Sequence, residues 1–117
     1  TCVSSLDIAP TILQLCGQPV PDSLPGIDLT NAESLADRKA VRGEIFEHDV
    51  VDVANPSSSL RYRWLLRPPY KLIEPAARLT DERPELYDVF ADPQELHNLA
   101  GVDGERLRAL QTELETD

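Results

Sequence analysis

Residues 60–73, L-R-Y-R-W-L-L-R-P-P-Y-K-L-I, decide the fold of this chain. Leu60, Tyr62, Trp64 and Leu66 alternate with Arg61, Arg63 and Leu65, the period of two that sends successive side chains to opposite faces of a strand. Arg67-Pro68-Pro69 breaks that run, because proline has no N–H to give a ladder, and Tyr70-Lys71-Leu72-Ile73 resumes it. Two strand-like runs joined by so short a break predict a β-hairpin.

Working outward, residues 85–89, E-L-Y-D-V, have the aromatic and β-branched mix of another strand, and residues 42–48, around Ile45 and Phe46, predict one more. Leu107, Leu110 and Leu114 recur at helical spacing with Ala109 nearby, so a helix over residues 103–115 is expected to cover the sheet on the face carrying Tyr62 and Trp64. Upstream, Asp7 is the expected N-cap of a helix over residues 8–16, with Pro10 in its first turn and Gly17, Pro19 and Pro21 ending it. Residues 18–31 read as an extended, proline-punctuated segment, residues 32–39 as a further helical turn or two, and residues 55–59 and 74–83 as loops. In residues 92–95, D-P-Q-E, Asp92 is an expected cap, Pro93 fits a first helical position and Glu95 completes a capping box. The fold class is therefore α+β: a four-stranded antiparallel sheet covered by a C-terminal helix, preceded by an N-terminal helix and extended linker. Residues 1–40 form the helix-plus-linker part and residues 41–117 the sheet-bearing subdomain.

Size and charge narrow the functional classes. At 117 residues the chain matches about one small domain, and with 41% hydrophobic but only 5% aromatic residues its core must be mainly aliphatic. A net charge of −10 argues against nucleic acid or an anionic membrane surface as partner, since both reward a basic face. No apolar run approaches the roughly 20 residues a bilayer-spanning helix needs. Charge is unevenly placed: residues 60–78 carry five bases and one acid, whereas residues 84–117 carry nine acids and two bases, so the two segments are expected to pair across the fold. Cys2 and Cys16 flank a helical segment too long for a disulfide, and Cys16, within an apolar run, is expected to be a buried thiol.

Candidate chemistry is sparse. Glu44, Glu47, His48, Asp49 and Asp52 are the richest cluster of titratable groups, but they have neither the His pair of a zinc helix nor the alternating oxygens of a calcium loop. An exposed strand end is the expected reading. Arg61, Arg63 and Lys71 are substrate-facing candidates, a cationic ladder if their strands pair in register, since guanidinium groups bind sulfate and phosphate oxygens in pairs. A solvated face or an ion-paired seam with the acidic C-terminal segment is the favoured alternative. His97, in the D-P-Q-E turn region, reads as structural.

Three blocks in order resemble the sulfatase family. Residues 5–21, S-L-D-I-A-P-T-I-L-Q-L-C-G-Q-P-V-P, are similar to its S-x-x-D-x-x-P-T-x-L-x-L-x-G-x-x-x-P helix, followed by G-I-D-L at 26–29. Y-K-L-I at 70–73 resembles its R-Y-K-L-I strand, and E-L-Y-D-V at 85–89 with D-P-Q-E-L-H-N-L-A at 92–100 resembles its C-terminal ending. The resemblance implies the C-terminal piece of a hydrolase of sulfate esters or sulfamates in which a large N-terminal catalytic domain supplies a calcium ion and a formylglycine made from the first residue of C-x-P-x-R. Neither Cys2 nor Cys16 begins that motif, so no cofactor is expected in this piece, which alone should be inactive. It also implies that residues 1–40 pack on the catalytic domain, that the end of the small sheet at residues 44–52 approaches the active-site cleft so that His48 is a substrate-facing candidate, that the parent takes a sulfated small molecule or glycan, and that the apolar helix face, if left alone, folds back on the sheet or is covered in a homodimer. The alternatives are a non-catalytic module binding an anionic glycan or a protein, and the ending of a related phosphodiesterase or phosphonate monoester hydrolase.

Overall fold

The computed structural model describes residues 1–116, which divide into two compact units, Thr1–Val41 and the remainder from Arg42. In the first unit a 3-10 turn, Ser5–Asp7, runs into α1 (Ile8–Leu15), and α2 (Ala32–Asp37) follows. Ser4 and Asp7 form a capping box: Ser4 Oγ accepts the Leu6 N–H at 3.3 Å, and the Asp7 carboxylate accepts the Ser4 N–H at 2.7 Å. Asp7 does occupy the N-cap position of α1, but its side chain makes no cap bond to that helix, contrary to the expectation. The carboxylate is wholly buried and faces inward, where it also accepts the Ile27 N–H at 2.9 Å and is held by the Arg38 guanidinium fork through Nη1 and, at 2.9 Å, Nη2. A buried carboxylate is tolerated only when so paired. The Arg38 bonds, aided by the Ser4 and Ile27 amides, outweigh burial and hold the Asp7 carboxyl down at about 2.

The same turn ties down the proline-rich segment. Thr11 Oγ1 donates to the Asp7 carbonyl at 2.6 Å and accepts the Leu29 N–H at 2.9 Å. Gly26 has φ +103°, and a Cβ there would collide with the Leu6 carbonyl, so only glycine lets the backbone pass. The far stripe of α1 is open: Leu6, Ile8 and Ile12 are each 54% exposed and Leu15 70%. Cys16 is likewise exposed rather than buried, because this helix buries Pro10 and its Asp7 end, and its C-terminal half faces outward.

In the second unit β1 (Val41–Phe46), β2 (Leu60–Arg67), β3 (Tyr70–Pro75) and β4 (Glu85–Asp88) form an antiparallel sheet in sequential order, followed by α3 (Gly104–Glu115). Register sets Leu65 opposite Leu72 and Leu72 opposite Leu86, and all three are 0% exposed. Helix α3, capped by Asp103 Oδ1 on the Arg106 N–H at 3.1 Å, buries Leu110 and Leu114. Its side is fixed by Gln111 donating to Glu74 at 2.8 Å and by the 3.0 Å Arg67–Glu113 ion pair, both on the face of the leucine row. The helix thus covers the Leu65 face, not the Tyr62–Trp64 face expected. The single strand suggested the aromatic side; the three aligned strands place the continuous aliphatic row on the other.

Residues 92–100 form no helix. Asp92 Oδ2 accepts the His97 N–H at 2.7 Å and Asp88 Oδ1 accepts the Phe90 and Ala91 N–H groups at 3.0 Å each, so these carboxylates close turns instead of starting a helix. Glu95 has φ 55°, incompatible with a helical first turn. Asn98 Oδ1 accepts the N–H groups of Leu86 at 3.1 Å and Ala100 at 2.9 Å, while the Leu99 N–H donates to the Leu86 carbonyl at 2.7 Å. The outer edge of β4 is thereby sealed.

Two stability effects follow. A carboxyl depressed on folding contributes stability above its unfolded value near 4, and that stability is lost as pH falls toward about 2. Arg38→Met strands the buried carboxylate and should destabilise the first unit by about 3–5 kcal/mol at pH 7, less at pH 3, in urea unfolding followed by amide exchange of residues 5–15; a pH-independent loss would contradict the pairing. Asn98→Ala should lower stability by about 1–3 kcal/mol by leaving the Leu86 N–H unpaired, with its amide exchange accelerated ahead of that of Leu72.

Candidate functional site

The sheet face opposite α3 is open. Across it Ile45, Trp64, Leu66, Ile73 and Val89 line a groove of about 430 Å³. Gly43 makes room for the indole: a Cβ there would lie 2.6 Å from Trp64 Cζ2. Lys71 and Glu95 form the polar rim, with Lys71 Nζ donating to both Glu95 oxygens at 2.8 and 2.9 Å. On the same face Tyr87 donates to Glu85 Oε2 at 2.7 Å, and that bond together with burial pushes its hydroxyl up to about 12.

The basic residues are divided by register. Arg63 lies opposite Glu74 and Lys71 opposite Leu66, so Arg61 and Arg63 share the α3 face while Lys71 lies on the groove face. No cationic ladder forms, since strand alternation separates odd from even positions. Arg61 sits 3.8 Å from Glu47 and 3.7 Å from Glu82, with its guanidinium over the Tyr62 ring at 5.4 Å. Glu47 also accepts from Arg78 at 2.7 Å, and Arg78, with Arg61 beyond it, holds the Glu47 carboxyl below its usual range. Arg63 makes no ion pair among the described residues and borders, with Arg42, Glu44 and Leu114, a cleft of about 200 Å³. Two pairs, Arg67–Glu113 and Lys71–Glu95, do join the basic segment to the acidic C-terminal one as the seam reading has it.

His48 lies at the exposed bend after β1. The loop it opens is pinned at its base by buried Ser59, whose carbonyl accepts the Glu47 N–H at 2.7 Å and whose hydroxyl accepts the Val51 N–H at 3.0 Å. Val50, Val51 and Val53 project from that loop, 65–86% exposed. The four nominated residues thus occupy three places: His48 at the loop, Arg61 and Arg63 on the sheet face that carries α3, Lys71 at the groove. His97 is 79% exposed and stands 3.4 Å from Asp92 within its turn. Among the described residues no group of three or more His, Cys, Asp or Glu is placed to hold a metal ion. Sequence reasoning nominated Lys71 but missed its rim partner Glu95, because the left-handed turn that brings Glu95 to Lys71 has no periodic signal.

The family model described as N-sulphoglucosamine sulphohydrolase, C-terminal, matches residues 1–117. The chain is 28% identical over 116 residues to Arylsulfatase K of Xenopus laevis, covering 97% of this chain and 22% of that protein. It is similar at 26% identity and a TM-score of 0.68 to a protein solved in complex with its substrate D-glucosamine-2-N, 6-O-disulfate, covering 93% of this chain and 22% of that one. The phosphonate monoester hydrolase of Agrobacterium radiobacter shares the fold, with a TM-score of 0.70 at 24% identity over 96% of this chain and 24% of its own. The chain spans about a fifth of the length of Arylsulfatase K.

Proposed function

Because this chain belongs to the N-sulphoglucosamine sulphohydrolase C-terminal family, a C-terminal portion of sulfatases, we propose that it buttresses and shapes the substrate end of a hydrolase of sulfate esters or sulfamates. The family match along residues 1–117 carries this reading. Two relatives support the substrate class: one is named an arylsulfatase, and the other was solved with a glucosamine bearing N- and O-linked sulfates.

The calcium and formylglycine that the resemblance implies do not fit these residues. Neither cysteine is followed by the P-x-R spacing, and the described residues hold no metal-binding cluster. Both groups belong, on this reading, to a larger catalytic domain. What the chain contributes is positional. Arg61 and Lys71 are held by carboxylates and so fix strands and loop ends. His48, exposed on a loop with a rigid base, is the side chain free to offer an N–H to a sulfate oxygen, with Arg63 the second substrate-facing candidate.

Residues 1–117 alone, incubated with an aryl sulfate and calcium, should show no turnover above blank, whereas the whole protein should hydrolyse it; turnover by the piece would sink the division of labour. In the whole protein His48→Ala should raise KM for a sulfated sugar about tenfold, the loss of one hydrogen bond to a charged oxygen. The same change in residues 1–117 should alter stability by less than about 0.5 kcal/mol. An unchanged KM would remove His48 from the substrate's surroundings.

A further inference from the structure

The backbone on either side of His48 is tied to one buried residue. Before it, the Glu47 N–H donates to the Ser59 carbonyl at 2.7 Å; after it, the Val51 N–H donates to Ser59 Oγ at 3.0 Å. We infer that Ser59 is a positioning residue for His48, an inference that rests on the reading of His48 as substrate-facing.

The arc of residues 47–51 thus begins and ends on Ser59, which is only 4% exposed. Ser59 immediately precedes β2, and β2 carries Leu65 of the fully buried leucine row, so the arc is referred to the most rigid part of the sheet. The arc needs such a tie. Val50, Val51 and Val53 stay exposed, and a loop that buries so little apolar surface opens readily unless hydrogen bonds hold it. A second tie lies outside the first: Arg78 Nη2 donates to Glu47 Oε1 at 2.7 Å and Arg78 Nε to the Leu60 carbonyl at 2.9 Å. That pair is partly open to water and holds less firmly. The Ser59 bonds are made at a buried residue, where a donor left without its acceptor is costly. An imidazole that has to meet one sulfate oxygen gains from this arrangement, because ordering already met in folding is not met again on binding.

The hydroxyl is the part of Ser59 that alanine removes and threonine keeps. A hollow of about 380 Å³, which Ser59 borders with Phe46, Val50, Val53 and Pro56, leaves room for the extra methyl. In residues 1–117, Ser59→Ala should lower the backbone order parameter of His48 from about 0.85 to below about 0.6, and Ser59→Thr should leave it near the unsubstituted value. In the whole protein acting on an aryl sulfate, Ser59→Ala should raise KM about fivefold with kcat within about twofold, and Ser59→Thr should restore KM. The Ser59→Ala/His48→Ala double variant should be no worse than His48→Ala alone, the non-additivity expected of two residues acting as one. Asn98→Ala, destabilised elsewhere in the sheet, should leave both the His48 order parameter and KM unchanged, which separates positioning from a general loss of stability. An unaltered order parameter in Ser59→Ala would overturn the inference, and so would a further rise in KM when Ser59→Ala is added to His48→Ala. The two readings fail separately: if His48→Ala leaves KM unchanged while Ser59→Ala still frees residue 48, His48 has no part in substrate binding and the positioning role falls with it; if His48→Ala raises KM while Ser59→Ala does not, only the role of Ser59 is refuted.

Discussion

Leu65, Leu72 and Leu86 stand in line across three strands, and the second unit depends on that row. Each is removed entirely from water, about 1.5–3 kcal/mol apiece relative to exposure, and together they present an aliphatic stripe that one helix can cover. Leu110 and Leu114 of α3 complete the layer. Everything else about the sheet follows by parity. Once odd positions of β2 face the helix, Trp64 and Leu66 must face away, and the groove is the direct consequence of the leucine row. Polar residues at the row's ends obey the same constraint: Arg67 and Glu74 reach the helix through Glu113 and Gln111, so the charged flank of the core is ion-paired and hydrogen-bonded.

The first unit solves a different problem, since its short helices offer little apolar contact to each other. Asp7 takes the place of a core residue. Its carboxylate gathers the start of the 3-10 turn, the loop at Ile27 and the end of α2 at Arg38 into one buried cluster. A paired buried charge demands exact placement of donors and is weak as a source of stability compared with apolar packing, but losing one member is severe. That explains how a segment with four prolines and glycines between residues 19 and 26 keeps a defined path while Ile12 and Leu15 remain exposed.

What could be read from sequence divides along the range of the interactions. Alternation in residues 60–66, the proline break and the leucine spacing of residues 107–114 are local, and hairpin and helix followed from them. The choice of face was not local: β2 alone carries more apolar bulk on the Tyr62–Trp64 side, and only the register of Leu72 and Leu86 reverses the preference. Asp7 was legible as a helix-start residue, yet its partner lies 31 positions away and nothing near either residue announces the other. Asp92-Pro93-Gln94-Glu95 has every mark of a capping box, and failed because Asp92 Oδ2 accepts the His97 N–H instead and Glu95 turns left-handed. The family, in contrast, was legible from ordered blocks, because turn and cap residues recur with the fold even where their local structure is misread.

The basic strand segment shows why residue type alone is a poor guide to a site. Five cations between residues 60 and 78 look like a surface for an anionic substrate, but register sends them to two faces and carboxylates meet most of them. Arg61 and Arg78 converge on Glu47, at the base of the loop that displays His48, so their charge fixes the loop's origin. Ser59 closes the same base through two backbone amides. A loop so anchored can hold an exposed imidazole in place without any charge of its own being committed to the task. The cations of this segment therefore deliver rigidity to their neighbours: Arg61 and Arg78 buttress the loop through Glu47, and the leucine row fixes the strand that carries Arg61.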